Sequence, residues 1–341
     1  MTAGREARAV ILGCAGAVLG EAEAQFFRAS DPLGFILFAR NCRDKAQVQA
    51  LVSALRVAVG RDTAPVLIDQ EGGRVARLAP PVWRAVPSAC SLARVAERSL
   101  EEGRRAVWLN ARLIAAELRE LGITVDCAPV LDLAWPEAHG IIGDRAFGAD
   151  PTCVALLGRS MCDGLAAGGI ASVIKHIPGH GRARADSHLE LPEVEAPWEA
   201  LRTSDFLPFK ALADQPWAMT AHIRFSAIDP AHPATTSQKL IAEVVRGEIG
   251  FAGALLTDDL GMKALAGSLG TRTAEALAAG CDVALHCSGV LEEMAEVAAA
   301  APRLSGAAAG RVARALEPRQ AARFFNADAA RAELDALLAA A

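Results

Sequence analysis

The stretch KHIPGHGRARADSH, residues 175–188, holds three of the chain's seven histidines, His176, His180 and His188, beside one of its five lysines, Lys175. Two histidines four apart make a zinc site when they share a helical face. Pro178 and Gly179 stand between His176 and His180 and break the helix that this spacing needs. No metal site and no cofactor are therefore expected. Asp186–Ser187–His188 offers another chemistry. A carboxylate two residues from an imidazole in a loop can hydrogen-bond it, fix its tautomer and favour its protonated form. An imidazole of ordinary pKa is only about a tenth protonated near pH 7.5, so Asp186 would help His188 keep a proton to donate. The plain alternative is a solvated polar loop.

Three further motifs carry reactive side chains. In IDQEGGRVARL, residues 68–78, Asp69 follows an apolar run, two glycines allow close backbone approach, and Arg77 follows. Asp69 could accept from sugar hydroxyls while Arg77 anchors a polar group, or the two could simply pair and hold the loop. In GIIGDRAFGADP, residues 140–151, Arg145 is either a substrate ligand or the partner of its neighbour Asp144. GALLTDDLGM, residues 253–262, ends in two acids, Asp258 and Asp259. Side chains alternate along a strand, so one acid should face a site and the other brace a loop. The exposed one could be a nucleophile, a metal ligand or a helix cap.

Something must bring these motifs together. Eight β-branched apolar runs fit strands: 8–16, 34–40, 64–73, 123–133, 171–179, 217–225, 253–261 and 282–289. Helical patterns lie between them, at 46–59, 99–120, 153–167, 238–249 and 272–279. Continuous apolar strands alternating with helices imply a parallel sheet covered on its outer face. Eight repeats fit an α/β fold of the closed (β/α)8 TIM-barrel class. In such barrels the reactive groups gather at the C-terminal ends of the strands. Asp69, Asp132, Lys175, His176, His222, Asp258 and His286 all fall at or near those ends. About twenty irregular residues follow the fifth strand, long enough for a functional, mobile loop. Beyond about residue 290 the chain reads as closing helices. No linker rich in Pro, Gly or Ser interrupts it, so a single domain spanning 1–341 is expected.

The bulk composition narrows the partners. With 52% apolar and 22% charged residues the chain can bury a large core, and a net charge of -5 gives no basic footprint for nucleic acid or an anionic membrane. A small-molecule substrate and a monomer are the default. The start, Arg5 to Arg8 followed by AVILGCAGAVLG, superficially resembles an export signal. Its apolar core before Cys14 is only about four residues, so a buried first strand is expected instead. The eight cysteines form no CxxC pair and read as small buried hydrophobes rather than disulfides.

In order and spacing, IDQEGGRVARL, GDRAFGADP, KHIPGHG, ADSH, MTAHI and LLTDDLGM resemble the bacterial β-N-acetylglucosaminidases of glycoside hydrolase family three, of the NagZ type. The resemblance runs from the first strand to about residue 290. It implies a cytoplasmic (β/α)8 β-N-acetylhexosaminidase that removes terminal β-linked N-acetylglucosamine from anhydromuramyl fragments in peptidoglycan recycling. It further implies Asp258 as nucleophile, His188 as general acid/base with Asp186 as its partner, and Asp69, Arg77, Arg145, Lys175 and His176 as ligands of the sugar. Arg182–Ala183–Arg184 in the loop, and Gly261–Met262 after the paired acids, depart from the family pattern without touching these positions. The implied reaction is a retaining, two-step hydrolysis in which an imidazole replaces one of the usual two carboxyl groups. Three alternatives stand beside it: phosphate as the acceptor, the substrate's own acetamido group as nucleophile, and a sugar-binding barrel without catalysis.

Overall fold

The computed structural model describes residues 6–136, 140–317 and 325–341. Eight parallel strands close into a barrel: β1 (Arg8–Leu12), β2 (Pro32–Leu37), β3 (Val66–Ile68), β4 (Val125–Asp126), β5 (Ala171–Ile177), β6 (Trp217–Thr220), β7 (Ala254–Asp259) and β8 (Val283–His286). Each pairs with its neighbours in chain order, and β8 returns to β1 through Val10–Ala284, Ile11–Leu285 and Leu12–His286. Every barrel strand is followed by helical structure, which makes the fold a (β/α)8 barrel.

The strands are apolar throughout because both of their faces are covered. Ile11, Leu67, Val173, Trp217, Leu256 and Leu285 pack with the barrel interior, whereas Val10, Leu12, Phe35, Ile68 and Ile174 pack outward against the helices. Leu304, Val312 and Ala315 close the interior from below. There Arg311 clasps Asp282 at the start of β8, Nη2 to Oδ1 at 2.6 Å. The expected closing helices are Leu291–Ala300, Gly306–Ala315 and Ala327–Ala339.

Several boundaries differ from the sequence reading. The runs 64–73 and 123–133 yield strands of only three and two residues, so Asp69 directly follows its strand and Asp132 lies on the chain that continues from β4. Gln70–Gly72 instead turns back on Val75–Ala76 as a small antiparallel ribbon. Its Gly72 has φ 103°, and a Cβ there would stand 2.2 Å from the Pro87 carbonyl oxygen, so the reversal requires glycine. The stretch 99–120 holds one long helix, Leu100–Glu120, with a separate helix, Ala89–Arg98, before it. Ser99 ends the first and caps the second by accepting from Glu102 N–H. A helix at Glu21–Ser30 was not foreseen. The twenty-residue loop after β5 carries a short parallel pairing of Glu193–Val194 with Arg224–Phe225.

Ala7 and Ala9–Leu12 are buried, as the reading of a first strand requires, while Arg5 lies outside the described residues. All eight cysteines are unpaired; Cys14, Cys127, Cys162, Cys281 and Cys287 are buried, but Cys42, Cys90 and Cys153 are partly exposed. Among the described residues no helix is long and apolar enough to cross a membrane.

Candidate active site

At the C-terminal ends of the strands lies a cleft of about 370 Å³. It is lined by Asp69, Arg77, Arg145, Lys175, His176, His188 and Asp258, which places seven of the eight sequence-predicted site residues around one cavity.

Its floor is a network of buried charges. Asp69 accepts from Lys175 Nζ at 2.8 Å through Oδ1 and from Arg77 Nη2 at 3.0 Å through Oδ2. Lys175 Nζ also lies 2.6 Å from Glu71 Oε1. Glu71 in turn receives a fork from Arg145, Nε to Oε2 and Nη2 to Oε1, both at 2.8 Å. Arg145 therefore does not pair with its neighbour Asp144, which goes to Arg74 at 3.1 Å. Burial alone would push both carboxyls up, but Lys175 and Arg77 hold Asp69 well below the usual range, and Lys175 and Arg145 do the same for Glu71. Burial works against the Lys175 ammonium too, yet Asp69 and Glu71 outweigh it and fix the proton in place. The network thus stays ionised at neutral pH. It offers carboxylate oxygens and N–H donors side by side, the pairing that sugar hydroxyls need because each hydroxyl both donates and accepts.

Lys175 and His176 both line the cleft although adjacent residues of a regular strand face opposite ways. The pairing of β5 with β6 slips between Lys175 and Ile177, and this irregularity lets the strand end present two consecutive side chains. His176 Nδ1 lies 2.6 Å from Asp132 Oδ2, which leaves Nε2 as the ring's other polar atom. Asp132 Oδ1 accepts the backbone N–H groups of His176 at 3.2 Å and His180 at 2.6 Å. One carboxylate thus fixes the cleft-lining ring and the start of the loop. The His180 ring packs edge-on against His176, centroids 5.6 Å apart, and its Nε2 lies 3.1 Å from Ser187 Oγ. Burial pushes the His180 imidazole down to about 4, so it is neutral.

Asp258 and Asp259 end β7, and both border the cleft because the pairing of β7 with β8 also slips, between Leu256 and Asp259. Their roles divide as alternation anticipates. Asp259 Oδ1 accepts from Gly261 N–H at 3.0 Å and from Cys287 N–H at 3.1 Å, which ties two loops together. Asp258 Oδ1 takes the Asp259 N–H at 2.8 Å, which leaves Oδ2 as the second oxygen of a carboxylate that lines the cleft. His222, read as a strand-end candidate, serves the same strand: its Nε2 donates to the Asp259 carbonyl at 3.0 Å and its Nδ1 meets Thr235 Oγ1 at 2.7 Å. His286 lies 3.5 Å from Asp259 Oδ1 and 2.8 Å from Ser288 Oγ.

On the loop after β5, Asp186 Oδ1 accepts the His188 backbone N–H at 2.9 Å and meets His188 Nδ1 at 2.8 Å. The proximity inferred from two-residue spacing is therefore present, and Nε2 is the other polar atom of a ring that lines the cleft. Sequence reasoning passed over Glu71, although it sits two residues after Asp69, and it read Asp132 only as a strand end. The excess of Lys175, Arg77 and Arg145 over Asp69 was the available signal, since three cations around one buried carboxylate require a second.

Residues 22–317 match the family model described as the glycosyl hydrolase family 3 N-terminal domain. A β-hexosaminidase of Alkalilimnicola ehrlichii is 43% identical over 259 residues, 75% of this chain and 73% of that protein. One from Aromatoleum aromaticum is 39% identical over 285 residues, 82% of this chain and 79% of the relative. Among solved structures, NagZ from Neisseria gonorrhoeae in complex with N-trifluoroacetyl-D-glucosamine superposes with a TM-score of 0.88 at 29% identity, covering 98% of this chain and 99% of that one. A barrel closed by eight parallel strands, a cleft at their C-terminal ends and these relatives lead to one assignment: the chain belongs to glycosyl hydrolase family 3.

Proposed function

We propose that the protein is a β-N-acetylhexosaminidase that releases terminal, non-reducing β-1,4-linked N-acetylglucosamine from anhydromuramyl muropeptides in cytoplasmic peptidoglycan recycling. The observation that carries the reading is the convergence on one cleft of a lining carboxylate, Asp258, and an imidazole hydrogen-bonded to a carboxylate, His188 with Asp186. The β-hexosaminidase names of the relatives supply the sugar. In this reading the substrate enters the small cleft by its terminal sugar. Asp69, Arg77, Arg145, Lys175 and His176 bind that sugar, with Glu71 behind them.

The reaction proceeds by retention in two steps. Asp258 attacks the anomeric carbon while the bond to the leaving oxygen breaks and His188 Nε2 gives that oxygen its proton. Water then attacks the glycosyl ester, His188 takes a proton from the water, and Asp258 is released as a carboxylate. Asp186 holds the Nδ1–H end of the ring and compensates the imidazolium charge. A neutral imidazole repels an anionic acceptor less than a carboxylate does, so product analysis with and without inorganic phosphate belongs in the same assay.

The test is hydrolysis of a chromogenic β-N-acetylglucosaminide by the native chain, His188→Ala and Asp258→Asn. Both variants should lose turnover while still binding N-acetylglucosamine. Mass analysis after a slow fluorinated N-acetylglucosaminide should place an adduct on Asp258. Turnover without any adduct would instead favour attack by the acetamido group, and full activity in Asp258→Asn would remove the proposal.

A further inference from the structure

We propose that Ser187 is a positioning residue for His188, docking the loop after β5 onto His180 and onto the loop after β7. The inference rests on the reading of His188 as the acid/base and adds what holds it there.

Three consecutive residues of this loop divide by exposure. The side chains of Asp186 and His188 are 19% and 59% exposed, whereas Ser187 between them is 3% exposed. A serine in a surface loop ordinarily faces water, so its burial needs partners. It has two. Its hydroxyl lies 3.1 Å from His180 Nε2, and its carbonyl accepts the Ala264 N–H at 3.2 Å.

Both partners are themselves fixed. His180 is held to Asp132 through its backbone N–H, and at Gly181 a Cβ would stand 2.2 Å from the Leu133 carbonyl oxygen, so the chain there presses on the exit of β4. Arg182 anchors the next step: Nε donates to buried Asp205 at 2.7 Å, and the guanidinium lies 3.7 Å from the Trp135 ring centroid. Ala264 follows Asp258 by six residues on the loop that leaves β7. Ser187 therefore joins the chain that carries the proton donor to the chain that carries the nucleophile.

His188 is the next residue, so the docking of Ser187 limits where the imidazole can lie relative to Asp258. The sugar ligands sit mainly at strand ends or on the floor network and do not depend on this contact. Loss of the Ser187 hydroxyl should accordingly impair proton delivery and spare sugar binding.

The experiment compares Ser187→Ala, Ser187→Thr and His188→Ala on aryl β-N-acetylglucosaminides whose phenols range from acidic to weakly acidic. Acidic phenols leave without help; weakly acidic ones need the proton. For Ser187→Ala, kcat/KM on the weakly acidic phenols should fall roughly tenfold and on the most acidic phenol by less than about twofold, a selective loss of general-acid assistance. Inhibition by N-acetylglucosamine should not change, and Ser187→Thr, which keeps the hydroxyl, should retain most of the activity. His188→Ala should show the same selectivity with a larger loss. An equal loss on every phenol, or none, in Ser187→Ala while His188→Ala is selective overturns the docking role alone. Absence of selectivity in His188→Ala overturns the acid/base reading and this inference with it.

Discussion

Arg145 grips Glu71 with two parallel hydrogen bonds of 2.8 Å, and the same carboxylate holds Lys175 Nζ at 2.6 Å. Glu71 thus joins the loop after β4 to the end of β5 beneath the cleft. It carries the negative charge that lets Lys175 and Arg145 sit together with little access to water.

Glu71→Ala removes that charge and leaves two buried cations short of a partner. Breaking one side of a buried ion pair costs about 3–5 kcal/mol, so the urea midpoint should fall sharply. With Arg145 no longer held, KM should rise as well. Glu71→Gln keeps the shape and loses the charge, and should fall between the two. An unchanged midpoint in Glu71→Ala would mean that the network is not what holds the floor.

The paired acids should separate stability from catalysis. Asp258→Asn keeps an oxygen that can accept the Asp259 N–H, so folding should be little affected while turnover falls by at least about a thousandfold, as loss of the proposed nucleophile requires. Asp259→Ala instead strands the N–H of buried Cys287, at about 1–3 kcal/mol, while the exposed Gly261 N–H turns to water. Urea unfolding and turnover measured on both variants check this. If Asp259→Ala proves stable and Asp258→Asn does not, the division of labour is reversed.

The barrel was legible because its strands are buried on both faces and stand out as eight apolar runs. Asp69, Lys175 and His188 were legible because charge or imidazole stands at a strand end or in a long loop. Register slips were not legible. The irregular pairing at Lys175–Ile177 and Leu256–Asp259 accompanies the adjacent residues that share the cleft, and it depends on neighbouring strands rather than on local sequence. Glu71 and Ser187 stayed hidden, and Asp132 showed only as a strand end, for a related reason. Each acts through residues distant in sequence, and around Glu71 and Ser187 the local context of glycines or polar loop residues gives no sign of burial.

Gly181 tests the close packing at the base of the loop. A Cβ there would lie 2.2 Å from the Leu133 carbonyl oxygen, far inside contact distance, and that backbone cannot rotate away. Gly181→Ala should shift the loop and cost about 1–3 kcal/mol, the usual penalty for overpacking. Far-UV circular dichroism should show the barrel retained while turnover falls. Native activity would mean that the exit of β4 yields more readily than its packing implies.

Buried histidines make stability depend on pH well above the range where carboxylates titrate. His180 is lowered to about 4 by burial, and burial lowers His222 as well. In the unfolded chain each titrates near an ordinary value of about 6.5. Between these limits the unfolded state binds protons that the native state refuses, so stability rises with pH. The contribution is therefore complete above about pH 6.5 and is lost as pH falls toward 4, by up to about 3 kcal/mol for His180. Below that, Asp69, Glu71, Asp132 and Asp259, all held low in the native state, give up their own contributions as they protonate. Buried Asp126 runs the other way: its carboxyl is raised, so acid relieves a penalty there and offsets part of the loss. Urea midpoints should accordingly decline already between pH 7 and pH 5, and His180→Gln, which cannot be protonated, should flatten that decline. A pH profile of the midpoint that His180→Gln leaves unchanged would mean that the His180 imidazole is not held neutral by the fold.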